Sequence, residues 1–300
     1  MAATAAFAIL GGTGLMGVGI MRHGDGNGGS SSGRTSTADS PVVTASVTPS
    51  GPSPAELAKR KRAEQVKALD AALDKYAVTV PEFSVAVFDR KTGQLYAYRG
   101  SERYETASVV KVQVLACLLL TAQDKHRDLT RGEVGLAQRM IQESDNAATS
   151  DLFAHLGRSS AISRCNKRMG LTQTTVNSSW GLTKTTVTDQ VRLLDRLVNT
   201  GGPLDEDSRE FAYDLMSTVD EDQDWGVPAA ARPGEKTTVK NGWLPRSTEG
   251  NRWIINSVGR VTGGDTDVSI AVLSHNHRTM SGGIRVVEKA AKLTRQYLKY

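Results

Sequence analysis

The stretch that decides the fold is Ser108-Val109-Val110-Lys111, which runs directly into Val112-Gln113-Val114-Leu115-Ala116-Cys117-Leu118-Leu119-Leu120. The run is apolar apart from one lysine and one glutamine, and it reads as an apolar helix opened by the serine. A spacing of three places Ser108 and Lys111 on one face of that helix. A serine hydroxyl becomes a useful nucleophile when a neighbouring base takes its proton. A lysine can be that base when burial or nearby positive charge depresses its pKa. The N-terminus of a helix also aims free backbone N–H groups at an oxyanion formed there.

Outward from this helix, Ser53-Pro54-Ala55-Glu56 carries an N-cap, a first-turn proline and a capping-box glutamate, and a helix is expected to about Tyr76. Phe83–Phe88 and Gln94–Tyr98 read as an antiparallel hairpin turned by Asp89–Gly93. From Ser108 to about Leu215 the apolar spacing is mostly helical, with stops at Gly157, Gly170 and Gly201-Gly202-Pro203. Strands are expected at Thr238–Gly242, Arg252–Val261 and Asp267–Ser274, then a closing helix from about Gly283 to Leu298. The fold class is therefore α/β in the α+β sense: one antiparallel sheet flanked by the terminal helices, plus an all-helical lobe. Ligand clefts commonly lie between two such lobes.

Residues 1–21 hold no charged side chain and read as an apolar export signal or membrane anchor; residues 22–52, rich in Gly, Ser, Thr and Pro, read as a flexible tether; residues 53–300 read as the working domain. Gly12-Thr13-Gly14-Leu15-Met16-Gly17 matches a dinucleotide fingerprint. The tether that follows supplies neither the helix nor the second strand that fingerprint needs, so nucleotide binding is excluded. The formal charge of +5 is accompanied by only 5% aromatic residues, which argues against a nucleic-acid partner. Lys59-Arg60-Lys61-Arg62 reads as a solvated helix face.

Two further elements can carry chemistry. Ser144-Asp145-Asn146 lies between Met140-Ile141 and Ala147-Ala148; its serine can relay protons and Asn146 can hold an amide carbonyl. Lys240-Asn241-Gly242, in an expected strand, offers a cation for a carboxylate and a glycine that admits close backbone approach. Lys91-Thr92-Gly93 precedes Ser108 and is explained as a hairpin turn.

The order Ser-x-x-Lys, Ser-Asp-Asn, Lys-x-Gly resembles the signature of class A β-lactamases and penicillin-binding proteins. The resemblance runs from about Leu57 to the C-terminus and looks closest to β-lactamase-like serine hydrolases of actinobacteria. It implies a β-lactamase/transpeptidase-like fold with Ser108 as nucleophile, Lys111 as base, Ser144 as proton relay, and Asn146 as substrate binder. Lys240 would anchor the substrate carboxylate, with Asn241, Gly242, Trp243 and Arg252 completing the substrate contacts. The backbone N–H groups of Ser108 and Trp243 would form the oxyanion hole.

The chain departs from the family pattern where class A enzymes carry a deacylating glutamate, in a Glu-x-x-x-Asn loop. The matching stretch is Gln173-Thr174-Thr175-Val176-Asn177, so Gln173 and Asn177 could position a water but hardly deprotonate it. The resemblance implies an acyl-enzyme formed with β-lactams or related D-amino-acid peptides and slow deacylation. A cell-wall D,D-peptidase, or a binding or sensor module for penicillin or wall peptide, stands beside it. No cofactor or metal is implied, and a monomer secreted or anchored outside the cytoplasm is expected. The interval between Ser108 and Ser144 is shorter than in typical members, implying a missing cleft wall and a more open site.

Cys117 reads as a small buried hydrophobe, while a single disulfide with Cys165 stays open. His275 and His277 lack a third ligand and read as loop residues rather than a zinc site. Trp180, Trp225, Trp243 and Trp253 read as core or cleft packing.

Overall fold

The computed structural model describes residues 51–300, so the expected signal or anchor at 1–21 and all of the tether before Gly51 lie outside the described residues. The chain enters through helix α1 (Pro54–Ala77), with Ser53 and Glu56 forming the expected capping box. Strands β1 (Phe83–Asp89) and β2 (Gln94–Tyr98) make the hairpin. Short strand β3 (Tyr104–Glu105) follows, and then α2 (Val110–Asp124), α3 (Arg131–Gln142), α4 (Asn146–His155) and α5 (Arg158–Arg168). After β4 (Lys184–Thr185) come α6 (Val187–Arg196), α7 (Glu206–Ser217), strands β5 (Lys236–Arg246), β6 (Arg252–Gly263) and β7 (Thr266–Ser274), and α8 (Met280–Leu298).

The five long strands form one antiparallel sheet in the order β2-β1-β7-β6-β5. The early hairpin meets the late strands through β1 and β7, with Val85 opposite Val272. Side chains alternate along these strands, which is how one sheet serves two cores. Val85, Val87, Ile270 and Val272 pack with Leu69 and Leu73 of α1 and Val287 and Ala291 of α8. Ala86, Ala271 and Leu273 point the other way, toward α6 and the helical lobe.

Helix α2 is the axis of that lobe. Twelve of its fifteen residues are buried, including Lys111 and Gln113, as expected of a helix apolar on every side. Cys117 of α2 is bonded to Cys165 of α5, which corrects the reading of Cys117 as a lone hydrophobe. Both residues are buried, and the packing of α2 on α5 brings their Cα atoms to 5.4 Å, within bridging range.

The two-residue strands β3 and β4 pair with each other. Sequence periodicity cannot reveal elements that short. They fasten the segment before Ser108 to the loop before α6.

Candidate active site

Ser108 sits in a single tight turn, Ala107–Val109, that leads into α2. The approach to it is clamped from two sides. Thr106 N–H donates to Thr183 O at 2.8 Å, and the buried Asn256 amide on β6 donates to Glu105 O and Thr106 O at 2.9 and 3.0 Å. Ala107 is held at φ +46°, a left-handed conformation that costs about 1–2 kcal/mol in a non-glycine residue. Strand β5 presses on the same turn. A Cβ on Gly242 would lie 2.8 Å from Ser108 N, 2.8 Å from Thr106 O and 2.9 Å from Val109 N, so only glycine fits there.

Ser144 occupies the turn between α3 and α4. Its φ of +57° reverses the chain, and Asp145 caps α4 by accepting from Ala148 N–H at 2.9 Å. The turn delivers Ser144 and Asn146 to Lys111. Lys111 Nζ donates to Ser144 O at 2.6 Å, Ser144 Oγ at 3.0 Å and Asn146 Oδ1 at 2.9 Å. Lys240 Nζ reaches the same Ser144 Oγ at 3.0 Å, and also contacts Asn241 O at 3.2 Å and Gln223 Oε1 at 3.4 Å. One hydroxyl therefore bridges two lysine amines.

Burial controls the charge of both amines. It brings Lys111 down from 10.5 to about 7, against an opposing pull from the Asp145 carboxylate. Lys240 is lowered well below the ordinary lysine value, first by burial and then by the positive charge of Lys111. The Lys111 ammonium also stands 5.3 Å from the centre of the Trp180 ring, whose indole N–H donates to Ser150 Oγ at 3.2 Å. The hydrogen bonds of Lys111 go to Ser144 and Asn146 and not to Ser108 Oγ.

A cleft of about 490 Å³ opens over Ser108, lined on the lobe side by Asn146, Ser150, Phe153 and Arg158 and on the sheet side by Trp243, Leu244 and Arg246, with Ser178–Leu182 closing a third wall. No aspartate or glutamate is among its lining residues. Ser108, Lys111, Ser144, Asn146, Lys240, Gly242 and Trp243 are thus brought together, by hydrogen bonds, by the Gly242 approach or by the shared cleft.

Four expected residues stand elsewhere. The Asn241 side chain is buried and donates to Gln223 O at 2.7 Å and Trp225 O at 3.0 Å, because alternation along β5 turns it away from the cleft. Arg252 opens β6 opposite Arg246, and Arg246 is the one that lines the cleft, ion-paired to Glu105 at 2.8 Å. Gln173 is occupied with other partners. Its N–H donates to Asp189 Oδ2 at 2.8 Å and its Oε1 accepts from Thr186 at 3.0 Å. Asn177 Oδ1 accepts from Ser179 N–H within its own loop at 2.8 Å. Neither Gln173 nor Asn177 lines the cleft, and the adjacent Ser178–Leu182 does so instead.

Sequence reasoning missed Gln223 and Asn256. Gln223 contacts Lys240, accepts from Asn241 and donates from Nε2 to Gln142 O at 2.9 Å. A lone polar residue in a loop gives no such signal. The histidines part company: His275 pairs with Glu82 at 2.9 Å, while His277 is buried, bridged to Trp253 and held on Ser274 Oγ at 2.9 Å, its pKa pushed down to about 4, which corrects the expectation of a solvated loop for His277.

Residues 134–298, more than half of the chain, match the profile of the Beta-lactamase enzyme family. The chain belongs to that family. Ser144 and Lys240 lie inside the matched stretch, and Ser108 and Lys111 lie just before it. Proteins of Mycobacterium tuberculosis and Mycobacterium bovis named "Putative lipoprotein LppW" are 29% identical over 196 residues, covering 63% of this chain and 62% of theirs. The match thus spans under two thirds of the length of these relatives.

Among solved structures, a reconstructed class A beta-lactamase of the last common ancestor of Gram-negative bacteria superposes with a TM-score of 0.68 at 20% identity, over 76% of this chain and 97% of that one. A beta-lactamase from Xanthomonas campestris gives 0.69 at 17% identity, over 78% and 98%. Likenesses this remote in sequence establish the fold, which is the β-lactamase-like architecture expected.

Proposed function

We propose that this chain is a serine acyl-transfer enzyme in which Ser108 is acylated by β-lactams or related D-amino-acid peptides and deacylates slowly. The observation that carries this reading is the Lys111–Ser144–Lys240 chain of amines and hydroxyl beside Ser108 at the floor of an open cleft. With its pKa near 7, a large share of Lys111 is neutral at physiological pH and can accept the Ser108 proton. Ser108 Oγ then attacks the carbonyl carbon, and the backbone N–H groups of Ser108 and Trp243 hold the developing oxyanion. As the C–N bond breaks, the leaving nitrogen takes a proton from Ser144 Oγ. Ser144 is reprotonated by Lys111, which holds the proton taken from Ser108, so each proton is accounted for. Asn146 holds the acyl amide, and the guanidinium N–H groups of Arg246, on the sheet side of the cleft, donate to the substrate carboxylate.

Two features support slow release. A cleft without a carboxylate among its lining residues has no side chain of the type that activates water in class A enzymes, and the amide of Gln173 is engaged with Thr186. The same features suit a cell-wall D,D-peptidase or a sensor acylated once. An extracytoplasmic site of action, anchored through residues 1–21, agrees with the lipoprotein naming of the mycobacterial relatives. It also agrees with the Cys117–Cys165 disulfide, since such bonds persist in oxidising compartments.

The test is pre-steady-state hydrolysis of a chromogenic cephalosporin. The expected trace is a burst of about one equivalent followed by a much slower steady state. Linear turnover without a burst would argue for efficient deacylation. No burst and no turnover would argue against acylation.

A further inference from the structure

The cleft holds a cation that the acyl-transfer chemistry does not use. Arg158 lines its outer end, is exposed, and has neither an ion pair nor a side-chain hydrogen bond among the described residues. Arg246, the other arginine of the cleft, is neutralised by Glu105 at 2.8 Å and Glu249 at 3.8 Å. The uncompensated positive charge of the cleft wall therefore lies at Arg158.

Its place relative to Ser108 follows from α4. Asn146, Ser150 and Phe153 all line the cleft at spacings of four and three, one stripe of that helix. At about 1.5 Å per residue the stripe runs about 10 Å from Asn146 to Phe153, and Arg158 stands just beyond it. Gly157 at φ +101° and Arg158 at φ +59° turn the chain there.

Resting on the acyl-enzyme reading, we propose that the Arg158 end of the cleft is a second anion subsite, selecting acyl donors whose acyl side chain carries a distal carboxylate. The donor's amide sits at Asn146, its chain follows the Ser150–Phe153 stripe, and its carboxylate pairs with the free guanidinium, which accepts such a group in bidentate fashion. Ser178 and Ser179, also in the cleft wall, offer hydroxyls to the same anion.

A matched pair of penams isolates this charge: adipoyl-6-aminopenicillanic acid and its side-chain methyl ester, with benzylpenicillin as the donor that lacks the distal anion. Second-order acylation rate constants are measured by intact mass on the wild-type chain, Arg158→Gln and Arg158→Lys. The acid is expected to acylate wild type about two to five times faster than the ester, a preference that weakens with added salt. Arg158→Gln brings the ratio to about one and Arg158→Lys restores part of it, while benzylpenicillin acylates all three alike. Equal rates for acid and ester on wild type, or a preference that survives Arg158→Gln, overturn the subsite. Should no penam acylate Ser108, the functional reading fails separately. The same acid-to-ester ratio, read as equilibrium dissociation constants by calorimetry, then decides the subsite alone, and equal or undetectable binding refutes it.

Discussion

Replacing Gly242 by alanine tests how closely strand β5 is set against the nucleophile. The added methyl carbon would meet three backbone atoms at 2.8–2.9 Å, where ordinary contact begins near 3.4 Å. None of the three is the end of a flexible side chain, so β5 and the Ser108 turn must separate by about half an ångström. The Ser108 turn cannot yield freely, because Thr106 is bonded to both Thr183 and Asn256. Overpacking of this kind costs about 1–3 kcal/mol, offset in part by the lower chain entropy of alanine when unfolded. For a domain of this size a net loss of about 1–2 kcal/mol lowers Tm by about 2–8 °C. The effect on chemistry is larger, because a misplacement of 1 Å can cost about a hundredfold in rate. A loss of at least about tenfold in the acylation rate constant is expected for Gly242→Ala. The assay is time-resolved intact-mass detection of the penicillin adduct, with Tm measured on the same samples. Gly135→Ala is the control: it lies inside α3 with open space around it, and it should leave acylation unchanged while stabilising by up to about 1 kcal/mol. A Gly242→Ala protein with wild-type Tm that acylates within twofold of wild type would refute the packing argument.

Three more outcomes are expected. Because Lys111 must be neutral to take a proton and its pKa is near 7, the acylation rate constant should fall about tenfold per unit below pH 6 and level off above pH 8; a flat profile from pH 5 to 9 would remove Lys111 as the base. Ser144→Ala removes the hydroxyl shared by both lysines and should slow acylation about 10²- to 10⁴-fold at a Tm close to wild type, whereas a change under threefold would exclude a relay role. Replacing both Cys117 and Cys165 by alanine opens a crosslink over a separation of 48 residues, and denaturant unfolding should show a loss of up to about 4 kcal/mol, with a loss below about 1 kcal/mol contradicting a stabilising bond.

Local signals in the sequence carried much of the architecture. The capping box at Ser53 and Glu56 placed the start of α1, and the aromatic and β-branched run Phe83–Phe88 ending in the turn Asp89–Gly93 placed β1. The apolar run after Lys111 identified the central helix because burial on every side leaves no polar stripe. The order of three short motifs picked out Ser108, Lys111, Ser144, Asn146 and Lys240, which contact one another or share the cleft.

What failed needed information that sequence spacing lacks. Asn241 follows Lys240 directly, and which face of the strand each side chain takes depends on the register of β5 on β6. Arg246 and Arg252 sit opposite each other across a turn, so spacing alone could not tell which guanidinium reaches the cleft. Gln173 and Asn177 matched a family pattern by position. Hydrogen bonds with Asp189 and Thr186 engage Gln173, and bonds with Thr183 and Ser179 engage Asn177, and neither residue lines the cleft. The Cys117–Cys165 bond depended on how α2 packs on α5, a contact between residues far apart in the chain.

Acylation of Ser108 is read by intact-protein mass spectrometry of the chain over time after exposure to benzylpenicillin, with Ser108→Ala alongside and the modified peptide sequenced. A one-equivalent adduct on Ser108 is expected, persisting for many minutes and absent from the variant. An adduct that forms equally on Ser108→Ala, or none on either protein, would contradict it.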